Sequence, residues 1–244
     1  MKNSKTLILA HRGASAYAPE NTLEAMKLAL DMGADGVELD VHLSKDGRIM
    51  VCHDEKIDRT SNGQGLISSY TYDELRVFDF GFKYYNEIRG IKIPTLDEVY
   101  ELLGPHGLIV NVEIKSADPA IISALYEYEQ KYSMQGKIIY SSFDHLQIDR
   151  MKKQYPDSTI APLYGFNMIA PEKYAKNMNA SAVHPNFAQL NTFKDYVKNC
   201  HDMGIKVNPW TANKEEDMQM CFDAGCDAII TNYPDVAINL RDKK

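Results

Sequence analysis

The chain has 244 residues, 44% of them hydrophobic, 25% charged and 10% aromatic. That composition excludes a disordered segment or a collagen-like fibre and suits one soluble α/β domain of barrel size over residues 1–244. Lys plus Arg number 27 against 34 Asp plus Glu, the net charge is -7 and no basic block stands out, so a nucleic-acid backbone is not an expected partner.

The first apolar run, Leu7 to Ala10, is shorter than a signal-peptide core and far shorter than a membrane span, so the expected location is the cytoplasm, with no stable membrane anchor. Cys52, Cys200, Cys221 and Cys226 show no C-x-x-C spacing and read as reduced thiols. The first strand candidate, 6–10, ends at His11 and Arg12. A helix follows near residue 21, where Asn21 with Glu24 reads as a cap and its reciprocal acid. The second strand, 35–41, continues into a tight turn at Lys45-Asp46-Gly47 and a returning strand, Ile49 to Cys52, so His53 emerges at the end of a β-ribbon.

Residues 54–94 then separate this strand from its helix. The stretch holds a second cap, Thr71 with Glu74, and an aromatic cluster from Phe78 to Tyr85; a long insertion on a barrel loop commonly shapes a binding site. Thr95 with Glu98 opens the next helix. Strand candidates at 108–114, 137–142, 159–163, 180–184, 205–209 and 227–231 alternate with helices starting near 118, 144, 171, 192, 213 and 234. Eight such repeats in this length predict a (β/α)₈ TIM barrel with a small insertion after strand two. An open doubly wound sheet would use fewer strands and a Gly-rich first turn.

Period-two alternation puts Val37, Leu39 and Val41 on one face of strand two and Glu38 and Asp40 on the other. On strand three it groups Asn111, Glu113 and Lys115 in the same way. If the apolar faces pack against helices, the acids and Lys115 point into the barrel near the C-terminal strand ends, where barrel enzymes hold their active sites. Three carboxylates in a partly dry cavity need positive compensation, and a hard divalent cation, Mg²⁺ or Ca²⁺, suits an all-carboxylate set. The alternative is a structural network in which the acids pair with Lys115 and Arg12. His11 and His53 sit at strand ends beside them and suggest an acid and a base. Arg12 and Lys115 could then hold phosphate oxygens, one as a planar fork and one as a point charge.

The ordered set His11-Arg12-Gly13, Pro19-Glu20-Asn21-Thr22, Glu38-Leu39-Asp40-Val41, Lys45-Asp46-Gly47, His53-Asp54, Ile93-Pro94-Thr95-Leu96 and Glu113-Ile114-Lys115 resembles the glycerophosphodiester phosphodiesterases. The likeness continues through Ser142-Phe143, Trp210-Thr211-Ala212-Asn213 and Thr231-Asn232-Tyr233-Pro234-Asp235. It implies a barrel that hydrolyses a small-molecule glycerophosphodiester to glycerol 3-phosphate and an alcohol. Carried over by position, Glu38, Asp40 and Glu113 match the family's metal ligands, His11 and His53 its acid and base, and Arg12 and Lys115 its phosphate contacts. Trp210 matches an aromatic wall beside the glycerol, with Phe143 as a second candidate. The nucleophile is either water or the substrate's own 2-hydroxyl, and the order in which the histidines act is open. Tyr84 and Tyr85, on the insertion, are candidate walls for the alcohol group. Rival readings are a related lipid phosphodiesterase of the lysophospholipase D kind and a Schiff-base lyase using Lys115. A homodimer is the candidate assembly.

Overall fold

A computed structural model of the chain describes residues 6–84, 89–193 and 195–243. In chain order the elements are β1 (Leu7–His11), α1 (Leu23–Asp31), β2 (Gly36–Leu43), β3 (Ile49–Val51), α2 (Tyr72–Leu75), α3 (Leu96–Leu103), β4 (Ile109–Ile114), α4 (Ala120–Lys131), β5 (Ile138–Ser142) and α5 (His145–Gln154). They continue with β6 (Ile160–Tyr164), α6 (Pro171–Asn177), β7 (Ala182–Pro185), α7 (Gln189–Thr192), α8 (Tyr196–Asp202), β8 (Lys206–Val207), α9 (Glu215–Asp223), β9 (Ala228–Thr231) and α10 (Pro234–Asp242).

Eight of the strands run parallel in the order β8-β7-β6-β5-β4-β2-β1-β9. Backbone bonds from Asp227 N–H to the Val207 carbonyl, 3.0 Å, and from Ile230 N–H to the Pro209 carbonyl, 3.0 Å, bridge β8 to β9 and bring the ends of the sheet together. This is the expected TIM barrel. The ninth strand, β3, turns back antiparallel onto β2, pairing Val41 with Val51 and Leu43 with Ile49, as the turn at Lys45-Asp46-Gly47 requires. Gly36, on β2, allows the sheet to close tightly, because a Cβ there would lie 2.4 Å from the Ile109 carbonyl oxygen.

Strand parity divides the barrel into two environments. Ile8, Ala10, Val37, Leu39, Val41, Val110, Val112 and Ile114 are buried in the layer between sheet and helices. Leu9, Ile109, Ala228 and Ile230 face inward and fill the N-terminal half of the bore. Polar residues of the same inward parity therefore collect at the C-terminal mouth. The insertion carries its own small core, with Met50, Cys52, Ile57, Ile67, Leu75, Phe80, Ile91 and Ile93 packed together. That core anchors the segment that follows His53.

The caps at Thr71 and Thr95 form as expected: Glu74 and Glu98 accept the N–H groups of Thr71 and Thr95 at 2.8 and 2.9 Å. The cap of α1 differs. Thr22, not Asn21, accepts the Ala25 N–H, at 3.2 Å, while Asn21 sits in the left-handed region at φ 57° with its side chain turned toward the barrel. The helix expected from near residue 192 starts at Tyr196 instead, because Phe193 is extended and Asp195 is left-handed; the short α7 precedes it. Strand β8 is shorter than expected, since Pro209 offers no N–H for a ladder. All four cysteines are free and buried, and none of the described helices is long and apolar enough to cross a membrane.

Candidate active site

The adjacent strands β2 and β4 place Asp40 directly beside Glu113 and Glu38 beside Asn111, all on the inward face. Glu38, Asp40 and Glu113 are buried, at 3%, 0% and 6% exposure, and each offers a carboxylate oxygen within 4.8 Å of the others. The three acids expected to converge do so.

Two cations flank them. Arg12 Nε lies 3.4 Å from Asp40 Oδ2, and the Arg12 backbone N–H donates to Glu38 Oε2 at 3.0 Å. Lys115 Nζ lies 2.6 Å from Glu113 Oε1 and 3.4 Å from Asp40 Oδ1. Asn21 clamps Asp40 from behind, its Nδ2 donating to Oδ2 at 2.8 Å and its Oδ1 accepting the Asp40 N–H at 3.3 Å.

Charge is nevertheless not balanced. Burial, then Asp40 and Glu113, hold Glu38 well above the ordinary carboxyl range. Burial and Asp40 push Glu113 up to about 8 despite Lys115. Burial alone would raise Asp40 as well, but Arg12 and Lys115 outweigh it and draw the group below its usual value. Two cations thus keep one of three buried acids comfortably ionised. Asp40 Oδ1 and Asn111 Oδ1 are also buried without a hydrogen-bond partner. The donor set and these orphaned oxygens fit a hard divalent cation held by Glu38, Asp40 and Glu113.

The histidines stand at opposite ends of the cluster. His11 Nε2 is 3.8 Å from Glu38 Oε2, and its Nδ1 contacts Asn232 Oδ1 at 2.6 Å. An amide oxygen can only accept, so Nδ1 carries the proton and Nε2 is bare. Burial and Arg12 lower the His11 pKa to about 4. His53 Nδ1 contacts Asp54 Oδ1 at 2.6 Å, and its Nε2 is 3.2 Å from Lys115 Nζ. The Asp54 carboxyl is pulled down to about 2: burial opposes the shift, but Arg59 and His53 prevail. His53 Nδ1 is accordingly the donor to an ionised acid, which leaves Nε2 toward the cavity.

His11, Arg12, Glu38, His53, Asn111, Glu113, Lys115, Phe143 and Trp210 line one cavity, so every expected site residue except the fully enclosed Asp40 faces it. Trp210 is fixed by donating its Nε1–H to the His184 carbonyl at 2.9 Å and meets Phe143 edge to face at 5.4 Å. Lys115 Nζ is 5.7 Å from the Phe143 ring centre. His184 is fully buried, pushed down to about 3 by burial and bonded to Asn208 at 3.0 Å. His42 holds the His53 carbonyl at 3.1 Å. Tyr84 reaches the Ala16 carbonyl at 3.4 Å, and Tyr85 lies outside the described residues.

Sequence reasoning gave no place to Arg59 and undervalued Glu20 and Asn21. Their only local signal is the Glu20-Asn21 pair, which reads equally as a helix start.

The model of the glycerophosphoryl diester phosphodiesterase family matches residues 11–236, nearly the full span of these elements. The chain belongs to that family. A glycerophosphodiester phosphodiesterase of Caldanaerobacter subterraneus subsp. tengcongensis is 42% identical over 242 residues, covering 98% of this chain and 99% of that one. One of Bacillus altitudinis is 36% identical with the same coverage. Among solved structures, an Oleispira antarctica phosphodiesterase in complex with the product sn-glycerol-3-phosphate is 29% identical, has a TM-score of 0.88 and covers 98% of this chain and 97% of its own. The family places the clustered acids, histidines and cations in an enzyme of phosphodiester hydrolysis. Lys115 does not suit the Schiff-base alternative. Although burial favours its neutral form, Asp40 and Glu113 raise its pKa, so the amine stays protonated and is no nucleophile.

Proposed function

We propose that this phosphodiesterase hydrolyses glycerophosphodiesters to glycerol 3-phosphate and an alcohol by a cation-dependent reaction with His11 and His53 as acid and base. The observation that carries the proposal is the convergence of Glu38, Asp40 and Glu113 between the two histidines, whose Nδ1 atoms are held by Asn232 and Asp54. A divalent cation bound by the three acids supplies positive charge for the phosphoryl oxygens.

Arg12 and Lys115 orient the phosphoryl group and complement the charge that develops on its oxygens, an effect realised fully only in a water-poor site. One imidazole takes the proton of the attacking hydroxyl at Nε2, and the other returns a proton to the departing alkoxide. Asn232 and Asp54 hold the two rings so that Nε2 is the working atom of each. Trp210 and Phe143 form the apolar side of the cavity, against which the carbon face of glycerol packs. Residues 1–244 are read as one domain, with this chemistry on the barrel and the insertion at its rim.

Release of glycerol 3-phosphate from glycerophosphocholine tests the reading. His11→Ala and His53→Ala should each lose about a hundredfold or more in turnover while unfolding at nearly the native temperature. Chelation with EDTA should abolish turnover, and added Mg²⁺ or Ca²⁺ should restore it. Full turnover in both histidine variants would refute the acid and base assignment.

A further inference from the structure

Two residues of the site reach the same group from opposite sides. Arg12 Nη1 donates to Glu20 Oε1 at 2.9 Å, and Glu20 lies on the loop between β1 and α1. His53 contacts Asp54, at the start of the insertion. Between Glu20 and Asp54 stands Arg59. Its Nε donates to Asp54 Oδ2 at 2.6 Å, while Nη1 and Nη2 donate to Glu20 Oε2 and Oε1 at 2.9 and 2.7 Å. One planar guanidinium therefore spans two carboxylates, each of which passes on to a residue inside the cavity.

We propose that Arg59 is a positioning residue that ties the His53–Asp54 pair to the Arg12–Glu20 pair and so fixes the imidazole relative to the phosphate-binding guanidinium. The proposal rests on the roles given above to His53 and Arg12, and it makes the insertion the carrier of a clasp. Arg59 is half-exposed, contacts none of the three acids and does not line the cavity that holds them, although it borders an adjoining open cleft with His53 and Lys115; its hydrogen bonds run to Glu20 and Asp54. Its fork is what the geometry uses. A lysine could neutralise Glu20 or Asp54 but could not engage both edges at once. Exposed single ion pairs contribute little, whereas a multidentate chain with both ends anchored limits the motion of the groups it joins.

The test compares steady-state turnover of glycerophosphocholine in Arg59→Met, Asp54→Asn, the double variant and Arg59→Lys, with the unfolding midpoint of each. Arg59→Met should lower kcat/KM about thirtyfold, a loss of the size that outer hydrogen-bond partners carry at metal-dependent sites. The double variant should lie within about threefold of the worse single one, because both cut the same link. Arg59→Lys should regain no more than about threefold, since it restores charge without the fork; if the Met variant does not fold, the Lys variant carries the same comparison with Asp54→Asn. Turnover within about threefold of wild type in Arg59→Met, or losses that multiply in the double variant, would overturn the proposal. An inactive His53→Ala beside an unimpaired Arg59→Met would refute the clasp alone, whereas an active His53→Ala would refute the underlying role of His53.

Discussion

Glu113→Gln separates the cost of the acid cluster from its use. Without a cation, burial and Asp40 raise the Glu113 carboxyl from 4.5 to about 8, against the pull of Lys115 2.6 Å away. At about 1.4 kcal/mol per pH unit, ionising this group in the folded protein costs about 5 kcal/mol more than in the unfolded chain. A carboxyl raised in this way contributes its stability fully below pH 4.5 and loses it as pH climbs through 8. Chelated wild-type protein should therefore weaken between pH 5 and pH 9. Glutamine does not titrate, but it gives up the charged hydrogen bond to Lys115, worth about 1.5–3 kcal/mol. The balance makes Glu113→Gln about 2 kcal/mol more stable than wild type at pH 9 in EDTA, a rise of about 4–8 °C in the unfolding midpoint, and no more stable at pH 5. Turnover should fall at least about a hundredfold, because a holder of the charge that faces the phosphoryl group is gone. Scanning calorimetry at the two pH values, with an assay alongside, checks both halves. A variant destabilised by the same margin at pH 5 and pH 9 would refute the electrostatic account.

Trp210→Ala should reduce kcat/KM for glycerophosphocholine about tenfold, mainly through KM, as the wall it forms with Phe143 is lost; unchanged kinetics would remove Trp210 from the site. Asn21→Ala deprives buried Asp40 of its Nδ2 donor and puts alanine at φ 57°, so thermal unfolding should show a loss of about 2 kcal/mol. An unaltered midpoint would mean that the clamp on Asp40 is not structural.

Most of the barrel was legible because strand parity and capping are local. Val37, Leu39 and Val41 announce an outer face, which forces Glu38 and Asp40 inward whatever the rest of the chain does. Thr71-Glu74 and Thr95-Glu98 form their boxes from neighbours three residues apart. Asn21 was misread because a short polar side chain at a helix start suits both a cap and a left-handed turn, and only the approach of Asp40 decides between them. Arg59 carried no signal, since its partners Glu20 and Asp54 meet only after the insertion folds back over the mouth of the barrel.

The central claim is that Glu38, Asp40 and Glu113 together form the seat of one hard cation. Calorimetric titration of Mg²⁺ and of Ca²⁺ into chelator-stripped protein tests it most directly, with Asp40→Asn as the control. The account predicts a single site of one-to-one stoichiometry for at least one of the two ions, lost in Asp40→Asn and accompanied by return of phosphodiesterase turnover. Stripped protein that binds neither ion yet hydrolyses glycerophosphodiesters at full rate would contradict it.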